Sequence, residues 1–406
     1  MTNHTNIRRE LENELQAIAS WWLSHVVDTK HIKIAGEVSN RNKKKRFAGK
    51  SLVFVARLTW FFSTLYRHDA RPEYQQAAGV GYRLLLGRFL DPVHGGMYWS
   101  LDWRHRPNAR KKQAYGQAFA IHALSEYYMA FADPEALDAA CKLVTLLEEY
   151  VRDAGCGGYL EARTEDWSAM EGECIDGFDA DKTMNTHLHI LEAYSSFCRA
   201  KPDADFTCIL GDLVALFIDR FTRPGGDHLV QHYSQDWKEV PAAISFGHDI
   251  EASWLIPEAA ATVADTTLQE LARKSAIRLA RGVLANGVDE FGGISRELRG
   301  GGLRDSSREW WAQAEAMVGF MNAWQLSGEK KFLETSFNCW RFIRDHHIDP
   351  HHGEWRWYSS LDRKAGKIYK AGAWKAPYHN GRALLEMIRR LSDQPTAANK
   401  GPRSTQ

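Results

Sequence analysis

The sequence predicts an all-α fold, an (α/α)6 barrel of about twelve helices with short β-hairpin-like segments in its long loops. Three observations carry this. Apolar residues recur at spacings of three and four from one end of the chain to the other. The links between helical segments alternate between short and long. The long links resemble one another and return every 60–70 residues or so, the mark of an internal repeat.

The first helix, residues 7–26, places Leu11, Leu15, Ile18, Trp22 and Leu23 on one face. Helical periodicity then covers 50–68, 71–90, 112–131, 134–152, 184–200, 205–222, 247–264, 266–286, 309–326, 329–346 and 378–392. Short links such as His68–Pro72, Phe131–Pro134 and Leu326–Lys330 join antiparallel neighbours. The long links include His94-Gly-Gly-Met-Tyr-Trp, Cys156-Gly-Gly-Tyr-Leu-Glu, His228-Leu-Val-Gln-His-Tyr, Phe291-Gly-Gly-Ile-Ser-Arg and His352-Gly-Glu-Trp-Arg-Trp. Four of them put glycine before an alternating aromatic and polar run, which reads as a turn into a short strand. A helix pair repeated about six times buries its apolar faces as an open solenoid or as a closed double ring. Neither terminal helix is polar enough to cap a solenoid, so closure is expected. The barrel is read as one catalytic domain over 1–392, with 393–406 as a disordered tail.

Composition narrows the function. Lys+Arg 52 against Asp+Glu 51 leaves a formal charge of +1, so no overall field favours nucleic acid or an anionic membrane. The run Lys43-Lys-Lys-Arg46 is read as a solvated loop. The N-terminus lacks the apolar core of a secretory signal and no apolar run approaches a membrane span, giving a cytoplasmic expectation. Six cysteines without a C-x-x-C pair fit reduced thiols, and no metal is expected. Glycine-rich phosphate loops, a G-x-S-x-G elbow and a dinucleotide fingerprint are all missing from the sequence.

If the helix after each long link belongs to an inner ring, all six inner N-termini open at one end. The out-of-place polar residues gather there: Arg57, Tyr115 with Gln117, Asn185 with His189, His248 with Glu251, Trp311 with Glu315, and His379. Asn185 and His189, four apart, share a helical face, whereas His187 points elsewhere, so His187 and His189 make a poor metal pair. Taken alone, His189 is more often a hydrogen-bonded core histidine, and the His248/Glu251 pair is structural about as often as functional. Pro257 should kink or interrupt its helix after the reactive turn. Pro377 suits the first turn of the last helix, whose N-terminus favours a neutral His379. Arg57, set among apolar residues, is either ion-paired with a carboxylate such as Glu315 or poised for a ligand oxygen.

These residues lie in Ala56–Ser63, Tyr115–Phe119, Met184–Tyr194, Phe246–Leu255, Glu309–Ala316 and Trp374–Arg382. In those stretches the chain resembles the N-acylglucosamine 2-epimerase superfamily, most of all its cellobiose 2-epimerase branch. The resemblance implies the same (α/α)6 barrel and a sugar substrate. It implies inversion at C2 of the reducing-end sugar of a β-1,4-linked disaccharide through a cis-enediolate, without a cofactor. His248 and His379 are then the acid/base pair, His189 assists and Arg57 holds the developing oxyanion. Tyr115, Asn185, Glu251, Trp311, Glu315 and Trp374 shape the sugar site. A D-mannose 2-epimerase or mannose–fructose isomerase is the alternative on the same parts. The segment from Gly36 to Lys45 and Pro257 depart from the family pattern and bear on the preferred sugar. A glycosidase or lyase would need two carboxyls across a scissile bond, roles open to Glu251 and Glu315, but the histidines would then be unexplained. A monomer is expected, with a dimer as the alternative.

Overall fold

The computed structural model describes residues 2–170, 173–175 and 177–392; the expected tail at 393–406 lies outside them. Twelve α-helices are present among the described residues: α1 (Thr2–His25), α2 (Leu52–His68), α3 (Pro72–Leu84), α4 (Ala114–Phe131), α5 (Pro134–Leu146), α6 (Met184–Ala200), α7 (Ala204–Leu216), α8 (Phe246–Thr262), α9 (Thr266–Asn286), α10 (Trp310–Ser327), α11 (Lys330–His346) and α12 (His379–Ser392). The last turns of α3, α5 and α7 widen into π-helical geometry at Leu85–Phe89, Leu147–Val151 and Phe217–Phe221.

The even-numbered helices pack side by side as the inner ring, and the odd-numbered helices lie outside them. Gly381 lets the ring close, since a Cβ there would sit 2.4 Å from the Phe61 ring. Outside, α1 packs on α12. Three indoles fasten α1 to α11 and to the link before α12: Trp22 Nε1 donates to Glu354 (2.7 Å), Trp340 Nε1 to Glu10 (2.8 Å) and Trp355 Nε1 to Glu14 (2.8 Å). Burial lifts the Glu14 carboxyl to about 7.

The repeat expected in the long links is a physical one. The five later links make the same antiparallel bridge: Leu90 with Met97, Arg152 with Tyr159, Thr222 with Leu229, Val288 with Ile294, and Ile348 with Trp355. In four of them the fourth residue of the following inner helix takes the backbone N–H at the bridge. Gln117 accepts from Met97 (2.8 Å), His187 from Tyr159 (2.9 Å), Asp249 from Leu229 (3.0 Å) and Gln313 from Ile294 (2.7 Å). Gln117 and His187 therefore lock links onto helices. Buried ion pairs hold the turns as well, with Lys112 on Asp91 (2.7 Å), Lys182 on Asp153 and Lys370 on Asp349 (both 2.8 Å).

The residues just before each inner helix pair with the next link: Lys50–Ser51 with Ser100–Leu101, Lys112–Gln113 with Ala162–Arg163, Lys182–Thr183 with His232–Tyr233, and Ile244–Ser245 with Glu297–Leu298. Glu309 with Tyr358 and Val38 with Ala371 continue the series. All six inner helices consequently start at one end, inside a rim of linked hairpins. The departing segment Gly36–Lys45 belongs to this rim, where Asn42 Nδ2 also donates to the His352 carbonyl (2.9 Å).

Pro257 does not interrupt its helix. It cannot donate to the Ser253 carbonyl one turn back, and Asn322 Nδ2 of α10 fills that acceptor instead (3.1 Å), so α8 continues to Thr262. Pro377 stands two residues ahead of the first residue of α12 rather than in its first turn.

Candidate active site

At the rimmed end lies a cavity of about 240 Å3. Nine of the ten residues singled out from the sequence line it: Arg57, Tyr115, Asn185, His189, His248, Glu251, Trp311, Trp374 and His379. The tenth, Glu315, is fully buried behind His379. It accepts from the imidazole Nδ1 at 2.7 Å, leaving Nε2 as the free ring nitrogen. Burial, then the Arg57 and Arg382 guanidinium groups, holds the His379 pKa well below its usual value, so the ring is neutral.

His248 is built differently. It is the third residue of α8, half-buried, with Ser245 as the helix N-cap. The Trp311 ring lies 4.9 Å from its imidazole and 5.8 Å from that of His379, so the indole adjoins both histidines. Gly247 makes room for it, because a Cβ there would meet the indole at 2.4 Å. Glu309 pins Trp311 (2.8 Å) and Trp357 (3.2 Å) through their Nε1 atoms.

Among the described residues Arg57 pairs with no carboxylate. It donates to the Trp374 carbonyl (3.0 Å) and the Tyr115 hydroxyl (2.9 Å), between the Phe119 and Tyr378 rings. Its charge is thus directed at the cavity. Burial raises the Tyr115 hydroxyl to about 12, which keeps it a donor. The Asn185 Oδ1 has no hydrogen-bond partner among the described residues, so an acceptor is on offer beside these donors.

The carboxylates belong to Arg382, a residue the sequence reading passed over. Its guanidinium, 3% exposed, donates to Glu251 (2.6 Å), to Glu315 (2.7 Å) and to Glu192. Glu192 in turn accepts from Tyr378 and holds His189 Nδ1 at 3.0 Å. Burial opposes ionisation of Glu192, but Arg382, His122 and His189 outweigh it and hold the pKa well below the usual range. Burial and the nearby Glu315 lift Glu251 to about 7. Donor atoms of Glu251, Glu315 and His379 lie within 4.8 Å of one another, a spacing a metal could use. Arg382 already supplies a cation to both carboxylates.

Ile175, Trp310 and Trp357 also line the cavity and were not singled out from the sequence. Its place next to Trp311 in the sequence was the available signal for Trp310, which packs against His379 (6.2 Å between rings). Ile175 and Trp357 come from link segments, where periodicity has no reach.

A ring of inner-helix N-termini that aims histidines, an arginine and indoles into one cavity defines a helical-barrel isomerase of carbohydrates. The chain belongs to the N-acylglucosamine 2-epimerase family, whose profile matches residues 34–383. It is 36% identical over 390 residues to the cellobiose 2-epimerase of Bacteroides fragilis, covering 94% of this chain and 98% of that one. The structure of cellobiose 2-epimerase from Bacillus thermoamylovorans superposes with a TM-score of 0.90 at 33% identity, covering 95% of this chain and 100% of that one. A D-mannose isomerase shares the fold, with a TM-score of 0.83 at 20% identity over 94% of this chain and 97% of that one. No described helix is long and apolar enough to cross a membrane.

Proposed function

We propose that the protein is a cellobiose 2-epimerase, interconverting glucose and mannose configuration at the reducing end of a β-1,4-linked disaccharide. The observation that carries the disaccharide reading is a second cavity of about 610 Å3 that shares His248 and Trp311 with the first. The inner space suits one sugar ring and the outer one its glycosidic neighbour.

In the open-chain sugar the C1 carbonyl acidifies the C2 hydrogen. His379, neutral and with its tautomer fixed by Glu315, presents the Nε2 lone pair as the base in one direction. The electron pair moves into a cis-enediolate whose oxygen takes the Arg57 and Tyr115 donors. His248 returns a proton to the opposite face, and the reverse reaction exchanges the two roles. His189, oriented by Glu192, assists proton movement at the sugar oxygens. Glu251, Asn185, Trp311 and Trp374 hold the ring. A working monomer is part of the same reading. Six scattered cysteines without a C-x-x-C pair suit the cytoplasm.

The test is incubation with cellobiose in D2O, followed by NMR. Glucosyl-mannose carrying deuterium at C2 is expected, with losses of about 10²–10⁴-fold in His248→Ala and His379→Ala. Conversion of mannose but not cellobiose would overturn the disaccharide reading. Full exchange in both variants would overturn the catalytic assignment.

A further inference from the structure

The rim repeats one ion pair around the barrel. Ahead of each inner helix, the residue that opens the pairing with the next link is in turn Lys50, Lys112, Lys182, Ile244, Arg308 and Lys370. In the five later links, the residue after the first partner of each bridge is Asp91, Asp153, Arg223, Asp289 and Asp349. Cation and aspartate meet in four sockets: Lys112 on Asp91 (2.7 Å), Lys182 on Asp153 (2.8 Å), Arg308 on Asp289 (2.5 Å) and Lys370 on Asp349 (2.8 Å). Before α8 both partners change together, to Ile244 and Arg223, and Arg223 pairs with Glu239 (2.6 Å).

The first socket keeps its lysine but not its ion pair. Val27 pairs with Ile34 as Leu90 pairs with Met97, which makes Asp28 the counterpart of the four aspartates. Asp28 turns outward instead, 40% exposed, and accepts from the backbone N–H (3.0 Å) and Nδ1 (2.9 Å) of His31. Lys50 is nonetheless only 5% exposed, and its ammonium makes no hydrogen bond or ion pair among the described residues. Asp102 acts on it from a distance and is already taken by the backbone N–H groups of Arg104 (2.7 Å) and Arg106 (2.9 Å). Burial pulls the Lys50 pKa down to about 8, which still leaves the amine mainly charged at neutral pH.

Its surroundings are cationic where the next two sockets are aromatic. Trp167 and Trp237 cover Lys112 (5.9 Å) and Lys182 (4.5 Å) and pack on Gly96 and Gly158. In the first socket the smaller His105 takes the indole's place in the hairpin, with the same positive φ, and Lys33 takes the glycine's. Burial, then Lys50, Arg88 and Lys33, hold the His105 ring down at about 4, so these three cations gather about a neutral imidazole. Lys50 lines a cavity of about 400 Å3 with Ser51, Trp99 and Trp374, and its Nζ is not one of the partnerless atoms sealed from solvent. A buried cation without an anion is costly. The four complete sockets show what would neutralise it, which is a carboxylate-like group touching the ammonium.

We propose that the Lys50 socket binds a small oxyanion, a carboxylate or phosphate, in the place that an aspartate fills in four other sockets. The site adjoins Ser51, whose Oγ donates to the Ala373 carbonyl (2.6 Å) beside Trp374 of the catalytic wall.

Crystals of the full chain soaked in sodium selenate, whose selenium is located by anomalous scattering, should place the oxyanion within hydrogen-bond reach of Lys50 Nζ. In calorimetric titrations at constant ionic strength, phosphate or acetate should bind, and the tighter of the two identifies the group the socket takes. Lys50→Met should weaken that affinity about ten- to hundredfold, the worth of one hydrogen bond to a charged group, whereas Lys50→Arg should retain binding. Selenate at surface positions alone, an adventitious ion only, overturns the proposal. So do titrations that Lys50→Met leaves unchanged, or a crystal in which Lys50 pairs with Asp28. Should Lys50→Met fail to fold, the wild-type soak and Lys50→Gln decide it.

Discussion

The two sides of the catalytic cavity are built to different standards. On one side His379 and His189 are fixed through Glu315 and Glu192 to a single buried guanidinium, and each carboxylate has more than one partner. On the other side His248 stands half-buried at a helix start, against Trp311 and the mouth of the outer cavity. The difference teaches where rigidity is needed. In the proposed mechanism, a base that must stay neutral deep in the wall requires an anchored tautomer, whereas the histidine beside the outer cavity must also let a second sugar pass.

The sharpest way to break the comparison is to remove its anchor. Arg382→Met leaves Glu192, Glu251 and Glu315 buried without their cation, and a loss of about 3–5 kcal/mol in unfolding free energy is expected from urea denaturation. A loss below about 1 kcal/mol would mean the anchored side is no more fixed than the other. Glu315→Gln is milder, because the amide still fits the space but no longer offers Nδ1 a charged acceptor. About a 100-fold drop in kcat with little change in KM is expected. An equal drop in Glu309→Gln, which loosens Trp311 beside His248, would erase the contrast.

Much of the anchored side was hidden in the sequence for a physical reason. The period fixed twelve helices and their common open end, because burial on one face writes itself into spacing. It also collected eight of the nine cavity residues, Trp374 coming from the family resemblance alone. Arg382 lay within a recognised stretch, yet its partners Glu192, Glu251 and Glu315 come from three other helices 67 to 190 residues away, and no local pattern encodes that meeting. Arg57 was legible as a buried cation but not its choice of a carbonyl and a phenol over Glu315. Gln117 looked as out of place as the site residues because locking a link also requires a polar atom at a helix start, the place that His187, read as pointing elsewhere, takes on α6.

Acid separates the sides by protonation. Burial lowers the pKa of His122 and His187 to about 4 and holds His379 well below its usual value. The unfolded chain takes up these protons near 6.5 while the folded one does not. Stability is therefore lost as pH falls below about 6.5, with each such histidine contributing up to about 1.4 kcal/mol per pH unit until its folded pKa is reached. Glu251, raised to about 7, has the opposite sign, since its folded form keeps a proton that the unfolded chain releases above about 4.5, so it favours the acid side. Urea midpoints from pH 7 to 4.5 should fall, and His122→Gln should fall less steeply than the wild type. Equal slopes would show that burial does not keep this ring neutral.

The smallest effect tests the looser side at its base. Pro257 deprives α8 of one hydrogen bond, and Asn322 of α10 replaces it at the Ser253 carbonyl while its own Oδ1 accepts from Arg390 (3.0 Å). Asn322→Ala should cost about 1 kcal/mol, the low end for an unsatisfied buried carbonyl. In a Pro257→Ala background the restored backbone N–H serves that carbonyl, so the same substitution should cost measurably less, the remainder being the lost Arg390 contact. The coupling read from a double-mutant cycle isolates the Asn322–Ser253 bond. If the two substitutions add, α8 does not depend on α10 for its continuity.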